Sequence, residues 1–190
     1  MINKKITLCL LFFSVTALCA GSFYEVYLEG HGKEQLMETL YSSFTVESSN
    51  TFWYLLKSNL LSILKSWLYL LLCPIVPILI FTCPFICILK SFSAGFSSTM
   101  IIETFGAKGI IYIITTILPQ NIIHIPVFCV LSALSIHMSL TTTKYYFKRR
   151  QLNKNVLQKT VRHYITTFFI GLVILIISCL IESFLKKFLL

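Results

Sequence analysis

The sequence predicts an all-α fold, a polytopic helical bundle integral to a membrane, and three observations predict it. The 190 residues are 56% hydrophobic with a mean hydropathy of +0.83, and only 12% are charged, where a soluble domain carries about 25%. The apolar residues arrive in long blocks, several near the roughly 20 residues that cross a bilayer as a helix. The charges are sorted: all seven acidic residues are glutamates, and Glu25, Glu29, Glu34, Glu38 and Glu47 lie between the first two blocks, whereas lysines and arginines sit beside the blocks. A net charge of +9 placed this way marks loops retained in the cytoplasm rather than a nucleic-acid surface. The predicted partner is therefore lipid, with no nucleic acid.

The elements follow as one membrane domain over residues 1–190. Lys4 and Lys5 precede an apolar run over 6–23. A cleaved signal peptide and an uncleaved signal anchor both fit, and the anchor is preferred because bulky Leu18 would sit at the −3 position of a cut after Ala20. Either way the lysines hold the N-terminus in the cytoplasm. Residues 24–66 form an acidic extracytoplasmic or interfacial segment. In it Leu36, Met37, Leu40, Tyr41 and Phe44 recur at helical spacing, and Leu36, Leu40 and Phe44 are candidates for docking a partner. Ser48, Ser49 and Asn50 offer caps for a second amphipathic helix, lying on the outer leaflet with Trp53, Tyr54 and Trp67 as interfacial aromatics.

Residues 67–140 hold spans two to four. The second, over 67–89, contains Pro74, Pro77 and Pro84, so it should be kinked, with neighbours satisfying the freed carbonyls. Lys90 marks its cytoplasmic end. Residues 92–105 are short and serine-rich for a span, and Gly106 and Gly109 punctuate the chain before Pro119. Lys144, Lys148, Arg149, Arg150, Lys154, Lys159 and Arg162 make 141–163 a basic cytoplasmic loop, and 164–185 is the last span. With Lys90 and Lys144 both inside, residues 91–140 cross an even number of times. Two crossings by broken helices give about five spans and an extracytoplasmic C-terminus; a re-entrant hairpin gives the same ends, and five spans are preferred.

The stretch "LPQNIIHIP", residues 118–126, sets a proline at each end of a polar patch. In one reading the Gln120 and Asn121 amides bond carbonyls freed by the prolines. In the other, a discontinuous helix lines a path for a substrate or ion, as in a small transporter or channel subunit. The first is preferred.

The order "LKSFSAGF", then "GAKGIIYIITTILPQNIIHIPVF", then a basic linker and one last span resembles the stage II sporulation protein M family. The matching positions are Lys90, Phe92, Gly95, Phe96, Lys108, Gly109, Leu118, Pro119, Gln120, Asn121 and Pro126, within a core of about residues 88–140. Ser91 stands where the family usually has Gly, and Val127 and Phe128 replace the commoner small residue. The resemblance implies a multi-pass cell-membrane scaffold of endospore engulfment. It would help to gather peptidoglycan-cleaving proteins, stage II sporulation proteins D and P, at the septum.

No catalytic, cofactor or metal site is expected. There is no H-E-x-x-H, no aspartate for a Ser-His-Asp set, and no His or acid beside Cys83 and Cys87 to complete a zinc site. The seven cysteines fall in or beside apolar blocks, where Cys packs as a small hydrophobe. Glu103 and Glu182 are expected at the interface, near Lys108 and Lys186.

Overall fold

The computed structural model describes residues 4–28, 30–46, 51–75, 77–147 and 154–189. Its elements are α1 (Lys4–Val26), α2 (His31–Val46), α3 (Thr51–Leu72), two 3₁₀ turns (Cys73–Ile75 and Pro77–Phe81), α4 (Thr82–Phe105), α5 (Ala107–Tyr112), a π turn (Ile113–Ile117), α6 (Leu118–Phe147) and α7 (Lys154–Leu189). No strand occurs among the described residues. Four stretches are long and apolar enough to cross a membrane: Lys4–Val26, Leu79–Phe105, Leu118–Lys144 and Gln158–Leu185. The apolar stretch Asn59–Ile75 is shorter.

Neighbouring contacts fix the directions. Ser14 of α1 meets Cys129 of α6, and Cys87 of α4 meets Ser132 one turn along the same helix. At their other ends α1 and α4 share Lys33, so these two helices run parallel. On α3 and α7, Asn59 meets Glu182 while Leu70 meets Tyr164, so that pair is antiparallel. Ser135 of α6 meets Tyr164 near the start of α7, so α6 opposes α7. Helices α1, α4 and α7 point one way, and α3 and α6 the other. The start of α1, the 3₁₀ turns, the end of α6 and the start of α7 share one end of the bundle. The other end carries Glu25, α2, Glu103 and Glu182.

This arrangement corrects the span expected over 67–89. The prolines do not kink one helix; they end one and start another. Pro74 lacks the N–H that would bond the Leu70 carbonyl. That oxygen instead accepts from Ser135 Oγ (2.8 Å) and Tyr164 Oη (3.0 Å), and Tyr164 also donates to Leu71 O (3.1 Å). Pro84 falls in the first turn of α4, where a missing N–H costs nothing. Lys90 consequently lies near the middle of the Leu79–Phe105 stretch and not at a cytoplasmic end. Residues 92–105 are the second half of that same helix.

The helix expected on the outer leaflet also moves inward. Ile63, Trp67 and Leu70 of α3 are buried in the core with Phe128, Leu131, Phe168 and Leu175, and Trp67 Nε1 donates to Phe168 O at 3.0 Å. Ser48, Ser49 and Asn50, read as caps, lie outside the described residues. Cys73, Cys83, Cys87, Cys129 and Cys179 are buried as free thiols, while Cys9 and Cys19 are exposed.

Candidate functional site

Helix α4 carries four of the motif residues, Lys90, Phe92, Gly95 and Phe96, and it sorts them onto two faces. Toward α1 it presents Ser91 and Gly95, both buried. The facing stripe on α1 is Leu10, Ser14, Ala17, Gly21 and Glu25. The backbones touch there: a Cβ on Gly95 would overlap the Leu18 carbonyl, and one on Gly21 would overlap that of Phe92. Small residues one turn apart permit such an approach between membrane helices. Ser22 Oγ bridges the helices, lying 3.3 Å from both Leu18 O and Gly95 O. Tyr24 packs its ring against Phe92 and Phe96 at 5.8 and 6.4 Å between centroids. Gly109 serves the next turn, buried against the Ile101 carbonyl where Gly106, at φ +58°, reverses the chain. Gly95, Phe96 and Gly109 are therefore packing residues. Lys108 and Pro126 are exposed.

Away from α1, α4 faces α6 across a cleft of about 240 Å³ lined by Cys87, Lys90, Ser93, Ala94, Ser97, Ile117, Gln120, Asn121, His124, Ile125 and Phe128. Lys90, Gln120 and Asn121, far apart in sequence, meet here. The π turn explains how: the Leu118 N–H reaches back to Ile113 O, so the helix is wider just before Pro119 and the following amides are re-aimed. No hydrogen bond from Gln120 or Asn121 to a freed carbonyl is found among the described residues, contrary to the preferred expectation. Lys90 Nζ sits 4.9 Å from the centroid of Phe128, a cation–π contact. His124 is 7% exposed, its ring meets Phe128 edge-on at 6.2 Å and interacts with the Leu175 backbone, and its Nε2 is buried without a hydrogen-bond partner among the described residues.

A second constellation escaped the sequence reading. Lys33, in the first turn of α2, bonds Glu103 Oε2 at 2.7 Å and approaches Glu25 Oε1 at 3.4 Å. Glu25 is wholly buried, so Lys33 ties α2 to the ends of α1 and α4. The hydrogen bond to Glu103, followed by the charges of both glutamates, holds the Lys33 ammonium above the ordinary lysine value. The signal was the i+4 step from Gly21 to Glu25, which puts the carboxylate on the small-residue stripe. Glu103 thus pairs with Lys33 and not with Lys108. Glu182 is buried and accepts from Asn59 Nδ2 at 3.0 Å, so it belongs between α3 and α7. Of the docking candidates, Leu36 is 45% exposed, and the side chains of Leu40 and Phe44 lie outside the described residues. Among the described residues, no group of His, Cys, Asp or Glu could hold a metal ion.

A bundle of long apolar helices, zipped on one side of α4 and parted around a polar cleft on the other, defines a polytopic α-helical membrane protein. Residues 7–185 match the sequence model of stage II sporulation protein M, and the chain belongs to that family, which ties it to sporulation. Neither a curated protein nor a solved structure matches it.

Proposed function

We propose that the chain is a non-catalytic membrane scaffold of endospore engulfment that helps to localise peptidoglycan-cleaving proteins at the sporulation septum. Stage II sporulation proteins D and P are the partners that the family resemblance suggests. The observation that carries the reading is α2. It is an amphipathic helix beyond the spans, pinned by Lys33 to two of them, with Leu36 turned outward. A helix held at a fixed place above the bundle is suited to docking a partner by its apolar face.

The same reading assigns the orientation. Lys4 and Lys5 share an end of the bundle with Lys144, Lys159 and Arg162, while Glu25, Glu103 and Glu182 share the opposite one with Lys33 and Lys108. The positive-inside rule places the basic end in the cytoplasm and the C-terminus outside. The test is membrane-dye microscopy of a deletion strain induced to sporulate, complemented with the native chain or with Leu36→Glu. A septum that stays flat or bulges without migrating, restored by the native chain and not by an equally abundant Leu36→Glu, is the expected result. Normal engulfment in the deletion strain would sink the reading.

The cleft favours a second reading, a small transporter or channel subunit. It requires water to reach Asn121 and His124. Cysteines placed at those positions would then react with a membrane-impermeant thiol reagent, and uniform protection would dispose of it.

A further inference from the structure

We propose that the cleft between α4 and α6 binds the phosphate group of an anionic lipid, with Lys90 as its countercharge. The inference is independent of the scaffold reading. Its first support is the placement of Lys90 near the middle of a membrane-spanning stretch. A lysine at that depth is costly and is found where it pairs with an opposite charge or faces a polar cavity. Lys90 has a ring contact with Phe128 and no carboxylate partner among the described residues. Its ammonium has three donors and no acceptor, so a negatively charged acceptor completes it.

The second support is the composition of the lining. Ser93, Ser97, Gln120 and Asn121 can all donate hydrogen bonds, and no acidic side chain lines the cleft. His124 is buried against it with Nε2 unpartnered among the described residues; buried polar atoms in native structures are normally paired. A lysine, two amides, two hydroxyls and an imidazole around about 240 Å³ fit an oxyanion with several acceptor oxygens. The space exceeds the roughly 30 Å³ of one water.

The third support concerns the source of that anion. Positions close in sequence to lining residues are exposed and apolar: Leu89 on α4, Ile114 in the π turn, and Leu118 and Ile122 on α6, between 43% and 62% exposed. These outer faces of the same helices give hydrocarbon chains a surface to lie along while the phosphate turns inward. A phosphate ester on a lipid tail meets both requirements, whereas a free anion meets only the first.

The experiment measures the melting temperature of the full chain in mixed micelles with phosphatidylcholine alone, with added phosphatidylglycerol, or with phosphatidylcholine plus inorganic phosphate. High salt suppresses adsorption to the basic linker. The native chain should gain several degrees with phosphatidylglycerol, since a ligand of the folded state stabilises it. Lys90→Met should fold at least as well in phosphatidylcholine, because it removes a charge from an apolar setting, and should lose the gain. Lys90→Arg should keep most of it, and Asn121→Leu should reduce it. An equal gain from inorganic phosphate, abolished by Lys90→Met, would keep the anion site and overturn the lipid as its source. Identical behaviour in both lipids, or a Lys90→Met chain that gains as much as the native one, would overturn the proposal.

Discussion

Helix α4 meets α1 through glycine and serine at backbone contact, and meets α6 across a cleft lined by a lysine, two amides and a histidine. The two interfaces share one helix and differ in what holds them. The first has no room for a side chain, so its stability is close packing and lies in the absence of a Cβ at two positions. The second parts around polar groups, among them a His124 Nε2 without a partner among the described residues. A membrane gives helices little hydrophobic reason to associate. Packing of the first kind therefore builds the structure, while the second kind leaves a polar cleft. The family motif spans both: Gly95 and Phe96 belong to the zipped face, and Lys90, Gln120 and Asn121 to the open one.

Substitutions that put a side chain into the zipped face should act most strongly. Gly95→Leu meets the Leu18 backbone, which cannot move aside like a side-chain tip. Overpacking costs roughly 1–3 kcal/mol and at times more, and backbone overlap belongs at the upper end. The expected outcome is loss of the monodisperse peak in detergent size exclusion. Asn121→Leu in the cleft should leave that peak unchanged. A Gly95→Leu chain that folded normally would break the comparison.

The proline turn comes next. Tyr164→Phe removes one of two donors to the Leu70 carbonyl and should cost about 1 kcal/mol, a typical net hydrogen bond. Adding Ser135→Ala leaves that buried oxygen unpaired, and the double variant should lose more than the sum of the single changes. Thermal melts of the four chains in one detergent form the cycle that measures this coupling. Simple additivity would mean that the freed carbonyl finds another donor.

The smallest effect is expected where α2 is pinned. Lys33→Met should change the melting temperature little, because partly exposed ion pairs contribute little. It should nevertheless raise the mobility of a spin label at residue 36. The pH dependence has a definite sign. The folded state holds the Lys33 ammonium above its ordinary value, so its contribution is complete below pH about 10.4. It is lost as pH rises through the raised value. A label whose mobility did not rise in strong alkali would show that other contacts hold α2.

The sequence by itself determined the class, the membrane blocks and the membership of the family. These are properties of composition and order: a bilayer accepts apolar blocks of a certain length. It also located the broken ladder at Pro119 and the need for donors near Pro74. What it could not decide was direction. A cluster of prolines is compatible with a kink or with a reversal, and the outcome depends on donors distant in sequence: Ser135 and Tyr164 reach Leu70 O only because α6 and α7 pass beside it. The same ambiguity displaced Lys90 from an expected boundary to the inside of a cleft, since a lone lysine in an apolar run carries no mark of its depth. The pairing of Lys33 with Glu25 and Glu103 joins three helices, and periodicity within one helix cannot reveal what stands opposite its stripe. Local pattern specifies each helix and its apolar face; the contacts between helices, made across large separations in sequence, set which way each one runs and which polar groups meet.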